Sequence, residues 1–206
     1  MKRAAIAVGS AVLLPLIAAA EPLTELKDGF EDIVPVIKAA DKYYMQHIRN
    51  GWDFGMGPIA FSPRGWLPNI GKNGRYMGID CSEDVTMKPY VHSGVGSFRI
   101  GVVGGKGSVH VMRNSFKPGR YRMTVWTRGT GTLTFVAYNY LSRANPGCVS
   151  RLSGCTIGPA AEWTKTEAIL DMGASVTNAV SSRFAVAVNG GDVYIDDLEI
   201  RPLAFR

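Results

Sequence analysis

The sequence predicts an all-β domain, a two-sheet antiparallel sandwich with an N-terminal helical extension, and three observations carry that expectation. From Arg49 onward, short apolar runs are separated by Gly, Pro and Asn, the mark of a fold built from many short strands. The turns between them have the residues that turns require, as in Ser115-Phe116-Lys117-Pro118-Gly119 and Arg128-Gly129-Thr130-Gly131. Helical spacing is confined to residues 23–48, where Leu26, Phe30, Ile33, Ile37, Ala40 and Tyr44 recur every three or four positions.

Taken in order, residues 1–20 read as a secretory signal. Lys2 and Arg3 open it, an apolar stretch runs from Ala4 to Ile17, and Ala18-Ala19-Ala20 offers a cleavage site before Glu21. The implied location is secreted or periplasmic. Residues 21–48 form the helical extension, broken or kinked at Pro35 and packed across the domain, or presented to a partner. Residues 49–206 form the sandwich domain. No other run is long enough to span a bilayer.

The formal charge is +6, of which Lys2 and Arg3 contribute two, leaving +4. The basic residues are scattered and accompany no nucleic-acid motif, so they read as a solvated basic surface.

Seven runs read as strands: residues 97–102, 108–113, 120–128, 132–141, 164–170, 183–188 and 193–200. In 120–128, alternation puts Tyr121, Met123, Val125 and Thr127 on one face and Arg122, Thr124, Trp126 and Arg128 on the other. In 132–141, Leu133, Phe135 and Ala137 share the apolar face, with Thr134, Val136, Tyr138 and Tyr140 opposite. Joined as a hairpin, the two runs would place Trp126 opposite Thr134 and Arg122 opposite Tyr138. The last run carries Asp196-Asp197, of which alternation turns one inward. An inward carboxylate requires a cation, hydrogen-bond donors or a raised pKa.

Cys148 and Cys155 enclose a short segment that a disulfide would close, leaving Cys81 over; the alternative is three unpaired thiols. Catalysis is not expected. No Asp or Glu occurs between Asp84 and Glu162, and no nucleophile elbow of the G-x-S-x-G type is present.

From about Asn50 to Leu203 the chain resembles the β-jelly-roll carbohydrate-binding modules of secreted glycanases, whose fold is similar to galactose-binding domains. The resemblance is carried by Asn50-Gly51-Trp52-Asp53-Phe54, Arg64-Gly65-Trp66 and Val91-His92-Ser93-Gly94 with the run Ser97-Phe98-Arg99-Ile100 after it. It continues through Phe116-Lys117-Pro118-Gly119-Arg120-Tyr121, Glu162-Trp163-Thr164 and the closing Val193-Tyr194-Ile195-Asp196-Asp197-Leu198. It implies a jelly roll and a non-catalytic protein that recognises a glycan or polysaccharide. It also implies a structural calcium, with Asp196 as the first side-chain ligand, Asp53 as the second and carbonyls near Ser93 completing the shell. Against the ion stands a reading in which loop amides satisfy Asp196.

Sugar recognition needs flat rings for C–H faces and polar groups for hydroxyls. Trp126, Tyr138 and Tyr140 with Arg122 supply such a platform on the non-core face, with Trp52, Trp66, Tyr76 and Tyr90 at its edge. Alternatively these aromatics pack under the N-terminal extension, with Trp66 and Trp163 in the core. The competing function is a structural or assembly protein that uses the jelly roll to contact another protein.

Overall fold

A computed structural model of the chain describes residues 23–35, 61–70, 74–82, 84–102, 108–141 and 148–203. The expected signal segment, residues 36–48 of the extension, Trp52 and Asp53 lie outside them.

The strands are β1 (Leu26–Asp28), β2 (Ile33–Pro35), β3 (Phe61–Pro63), β4 (Leu67–Ile70), β5 (Gly74–Asp80), β6 (Gly96–Val102), β7 (Ser108–Phe116), β8 (Gly119–Gly129), β9 (Thr132–Tyr140), β10 (Cys148–Ile157), β11 (Ala160–Met172), β12 (Ser181–Asn189) and β13 (Asp192–Pro202). A 3₁₀ turn spans Val85–Tyr90, its Thr86 amide held by the Asp84 carboxylate. One antiparallel sheet runs β11-β8-β13-β6-β5, with β1 added to β13; the other runs β10-β9-β12-β7-β4; β2 and β3 form a small third ladder. This is the two-sheet antiparallel sandwich that the sequence predicts.

The core lies between the sheets. Phe98, Ile100, Met123, Val125, Ile195 and Ile200 from the first meet Leu133, Phe135, Phe184, Val186 and Val188 from the second, all essentially without solvent exposure. Phe184 is its aromatic hub, stacked on Phe135 at 5.5 Å and edge-on to Phe116 and Trp66 at 6.0 and 6.3 Å. Removing apolar area of this kind from water, at about 25 cal/mol per Å², is the main force holding the layers together.

Three expectations are corrected. Residues 26–35 are not helical: β1 pairs with the end of β13, Leu26 opposite Ile200, and β2 pairs with β3. Between β1 and β2, Phe30 takes φ +56° and donates its N–H to Asp28 Oδ1 at 2.8 Å. That left-handed turn, which no helix interior tolerates, delivers Leu26 and Phe30 to buried positions four residues apart and so imitates a helical spacing, while Val34 rather than Ile33 is buried.

Nor do β8 and β9 form a hairpin. β8 pairs with β11 and β13, while β9 pairs with β10 and β12 in the other sheet. Residues 129–131 form an arch from layer to layer, held by Thr130 N and Gly131 N donating to the Asp192 carbonyl at 2.8 and 3.1 Å. Gly129 sits there at φ +142°, and a Cβ on it would come within 2.2 Å of that same carbonyl oxygen. The face assignments hold: Tyr121, Met123, Val125 and Thr127 are buried, and Arg122, Thr124, Trp126 and Arg128 are outward.

Finally, residues 148–155 are no loop. Cys148 and Cys155 both lie in β10, opposite Tyr140 and Phe135. Seven residues of strand separate their Cα atoms by roughly 20 Å, several times disulfide range. Cys155 is a free thiol packed against the core, its pKa raised by burial.

Candidate functional site

The outward face of the first sheet gathers the polar chemistry of the fold, beginning with a bulge in β13. The ladder to β8 shifts between Asp196 and Glu199, and Asp197 takes φ +47°. Strand alternation is suspended there, so both carboxylates turn to one loop, whereas alternation alone would send Asp197 to the opposite face. Asp196 Oδ2 accepts from His92 N (2.9 Å) and Ser93 N (3.1 Å), and its Oδ1 accepts from Asp197 N (2.7 Å). Asp197 Oδ2 accepts from His92 Nδ1 (2.8 Å) and its Oδ1 from Ser93 Oγ (2.9 Å). Asp196 has no solvent exposure. Burial pushes its carboxyl up to about 6, against the opposing pull of the Ser93, Asp197 and His92 amides.

His92, Asp196 and Asp197 each bring one ligand atom within 4.8 Å of the others. The expected calcium does not fit this described set. Calcium takes six to eight oxygens, whereas here an imidazole nitrogen occupies one vertex and N–H donors already engage both oxygens of Asp196. The residues match a hydrogen-bonded knot that ties the 92–93 loop to β13.

Next to the knot, the His92 ring stacks on Trp126 at 3.9 Å and 19°, covering one face of the indole, and meets Trp163 edge-on at 5.7 Å. The Trp163 Nε1 is buried with no hydrogen-bond partner. Further along the same face lies an open cavity of about 280 Å³, lined by Tyr90, Tyr194, Arg128 and Asp192 with the small residues at 129–130 and 160–161. The Tyr90 and Tyr194 rings stack at 4.7 Å and 25°. Arg128 lies 5.9 Å from the Tyr90 ring centroid and donates to the Pro89 carbonyl at 2.6 Å, fastening the 3₁₀ turn to the sheet. Arg99 lies 5.8 Å from the Tyr194 centroid and pairs with Asp192 Oδ2 at 2.5 Å.

The four platform residues do not share a surface. Trp126 and Arg122 are on the outward face of the first sheet, Arg122 exposed opposite Ile169 and Arg201. Tyr138 and Tyr140 are on β9 in the second sheet, Tyr140 buried. Of the edge aromatics, Tyr90 lines the cavity and Trp66 is core, bonded through Nε1 to Asp28 Oδ2 at 2.8 Å. Sequence reasoning missed Arg99, Arg128, Asp192 and Tyr194 as cavity neighbours. The signal was present: Asp192 and Tyr194 share parity with Asp196 on one strand, and Arg128 with Trp126 on another.

No family model matches the chain, and no curated protein matches it. Among solved structures it is similar to the Clostridium thermocellum N-terminal endo-1,4-beta-D-xylanase 10B, CBM22-1-GH10 modules, complexed with xylohexaose. That similarity has a TM-score of 0.50 and 14% identity over 68% of this chain and 26% of the other. The enzymatically active domain of bacteriophage CBA120 tailspike protein 4 gives 0.48, with 11% identity over 68% of this chain and 19% of the other. The family 11 carbohydrate-binding module of the Clostridium thermocellum cellulosomal cellulase Lic26A-Cel5E gives 0.46, with 10% identity over 69% and 90%. The chain spans about a quarter or less of the first two proteins. At 14% identity the likeness to the xylanase modules is one of fold alone, a β-sandwich.

Proposed function

We propose that the protein is a secreted, non-catalytic module that binds a glycan in the cleft of Tyr90, Tyr194 and Arg128. The observation that carries this is the stacked tyrosine pair beside an open cavity rimmed by Arg128, Asp192 and Thr130. Rings take the C–H faces of a sugar, and the rim supplies donors and acceptors for its hydroxyls. The cavity lies at the small end of the ligand-site range, suited to a short segment of a saccharide. Among the described residues Asp192 is the one carboxylate in its lining, and it is ion-paired with Arg99. Glycoside hydrolysis canonically needs two acids with separate roles, so the cleft is built for holding rather than cutting.

Titration of wild type, Tyr90→Ala and Tyr194→Ala against glycans selected on an array tests the reading. Either substitution should weaken binding about tenfold or more, as loss of an anchoring aromatic does, with the circular dichroism spectrum unchanged. Trp126→Ala should cost less, because Trp126 does not line the cavity. Binding that survives both tyrosine substitutions, or no binding to any glycan, would overturn the assignment.

A further inference from the structure

The second sheet carries no acid. Its strands β4, β7, β9, β10 and β12 contain neither Asp nor Glu, whereas the first sheet has carboxylates on β1, β5, β11 and β13. On its outward side three adjacent strands bring Arg151, Tyr138 and Arg183 into one row, the two arginines being the cross-strand partners of the tyrosine. Both arginines are exposed and Tyr138 is half-buried. The Arg151 guanidinium lies 5.6 Å from the Tyr138 ring centroid, and that of Arg183 lies 5.1 Å from Tyr140.

These contacts prepare the arginines for a ligand. A guanidinium stacked on a ring is held in plane, with its N–H edge free to grip an oxyanion in bidentate fashion. On the first sheet three cations are answered within the fold, Arg99 by Asp192, Lys165 by Glu167 and Arg201 by Glu199, while Arg122 stays exposed. No strand of the second sheet offers Arg151 or Arg183 such a partner, so their charge remains for something outside.

We infer that the Arg151–Tyr138–Arg183 row is a second binding surface, for a polysaccharide whose units carry acid groups, carboxylate or sulfate. The arginines take the acid groups on either side of Tyr138, whose ring carries the Arg151 guanidinium. Two strand spacings set the arginine backbones roughly 10 Å apart, a span suited to acid groups on successive or alternate sugars. Two cations are few for a nucleic acid, whose backbone presents a phosphate at every nucleotide. The cleft of the first sheet is not involved, so the two surfaces stand or fall separately.

The test is calorimetric titration of the full chain with polygalacturonate, dextran sulfate, a neutral galactan and a DNA duplex. It compares wild type, the double variant Arg151→Ala/Arg183→Ala, its double-Lys counterpart, Lys165→Ala and Tyr194→Ala. At least one acidic polysaccharide should bind more tightly than the galactan, and which of the two does identifies the acid group. Added salt should weaken that binding. The double Ala variant should raise Kd about tenfold, the scale of two exposed ion pairs, with an unchanged melting temperature; the Lys pair should recover part of the loss, and Lys165→Ala should change nothing. Failure to bind either acidic polymer, equal affinity for the galactan, or an unchanged Kd in the double variant would overturn the inference. Tighter binding of DNA would overturn it in favour of nucleic acid. Loss in Tyr194→Ala but not in the double variant would move acidic glycans to the cleft, overturning this surface while sparing the proposed function.

Discussion

The two sheets share one core and differ in nearly everything they show to solvent. On the first, most of the charge is consumed internally: Asp196 and Asp197 bind the 92–93 loop, and Arg99, Lys165 and Arg201 each have a carboxylate partner, with Arg122 left exposed. On the second, Arg151 and Arg183 lie against tyrosines on an acid-free sheet. Alternation decides which residues of a strand face out, but topology decides which strands are neighbours. Because consecutive strands such as β8 and β9 go to different layers, charges scattered evenly along the chain become segregated in space.

The contrast should show first in stability. Asp196→Ala leaves the His92, Ser93 and Asp197 amides without their acceptor, and should cost about 3 kcal/mol or more in urea unfolding. Arg151→Ala should stay within about 0.5 kcal/mol. Equal costs would break the distinction between a sheet whose charges are structural and one whose charges are available.

A subtler probe is pH. Folding raises the Asp196 pKa from 3.8 to about 6, so the native state binds this proton more tightly than the unfolded chain. The resulting stabilisation is fully present below about pH 4 and is lost as pH rises through about 6. Wild type should therefore gain up to about 3 kcal/mol over Asp196→Asn on going from pH 7 to pH 4. Parallel pH curves for the two proteins would show that Asp196 is not the buried titrating group of the first sheet.

The smallest expected effect is that of chelation. With N–H donors on the Asp196 carboxylate, removing divalent ions should leave the melting temperature unchanged. An ion bound only to the native state would instead give a fall that grows with its saturation. Such a fall would return calcium to the first sheet, with Asp53 as the next ligand to test.

Much of the fold was legible. Seven runs read from apolar alternation and turn residues became β6 to β9 and β11 to β13, and the outward parity of Trp126 and Arg128 was correct, because these properties are local. β10 was missed since its ladder is twice shifted, which blurs a period of two over Cys148–Ile157. The site was less legible. That Trp126 neighbours Asp196 and Tyr138 neighbours Arg151 depends on long-range pairing, and that Asp197 turns toward His92 depends on one left-handed residue. The scattered basic residues read as a uniform surface because nothing in their spacing reveals which sheet each joins.

The strand orders carry a consequence for biosynthesis. β12 lies at the middle of one sheet, between β9 and β7, and β13 at the middle of the other, between β8 and β6. Both central strands come from residues 181–202, after every strand they pair with. Until they leave the ribosome, each layer exists as two separate strand pairs with unsatisfied edges, a state prone to mispairing with other nascent chains. The domain cannot close progressively from its N-terminus, and a nascent chain stalled before residue 181 would be a client for chaperones rather than a folding intermediate.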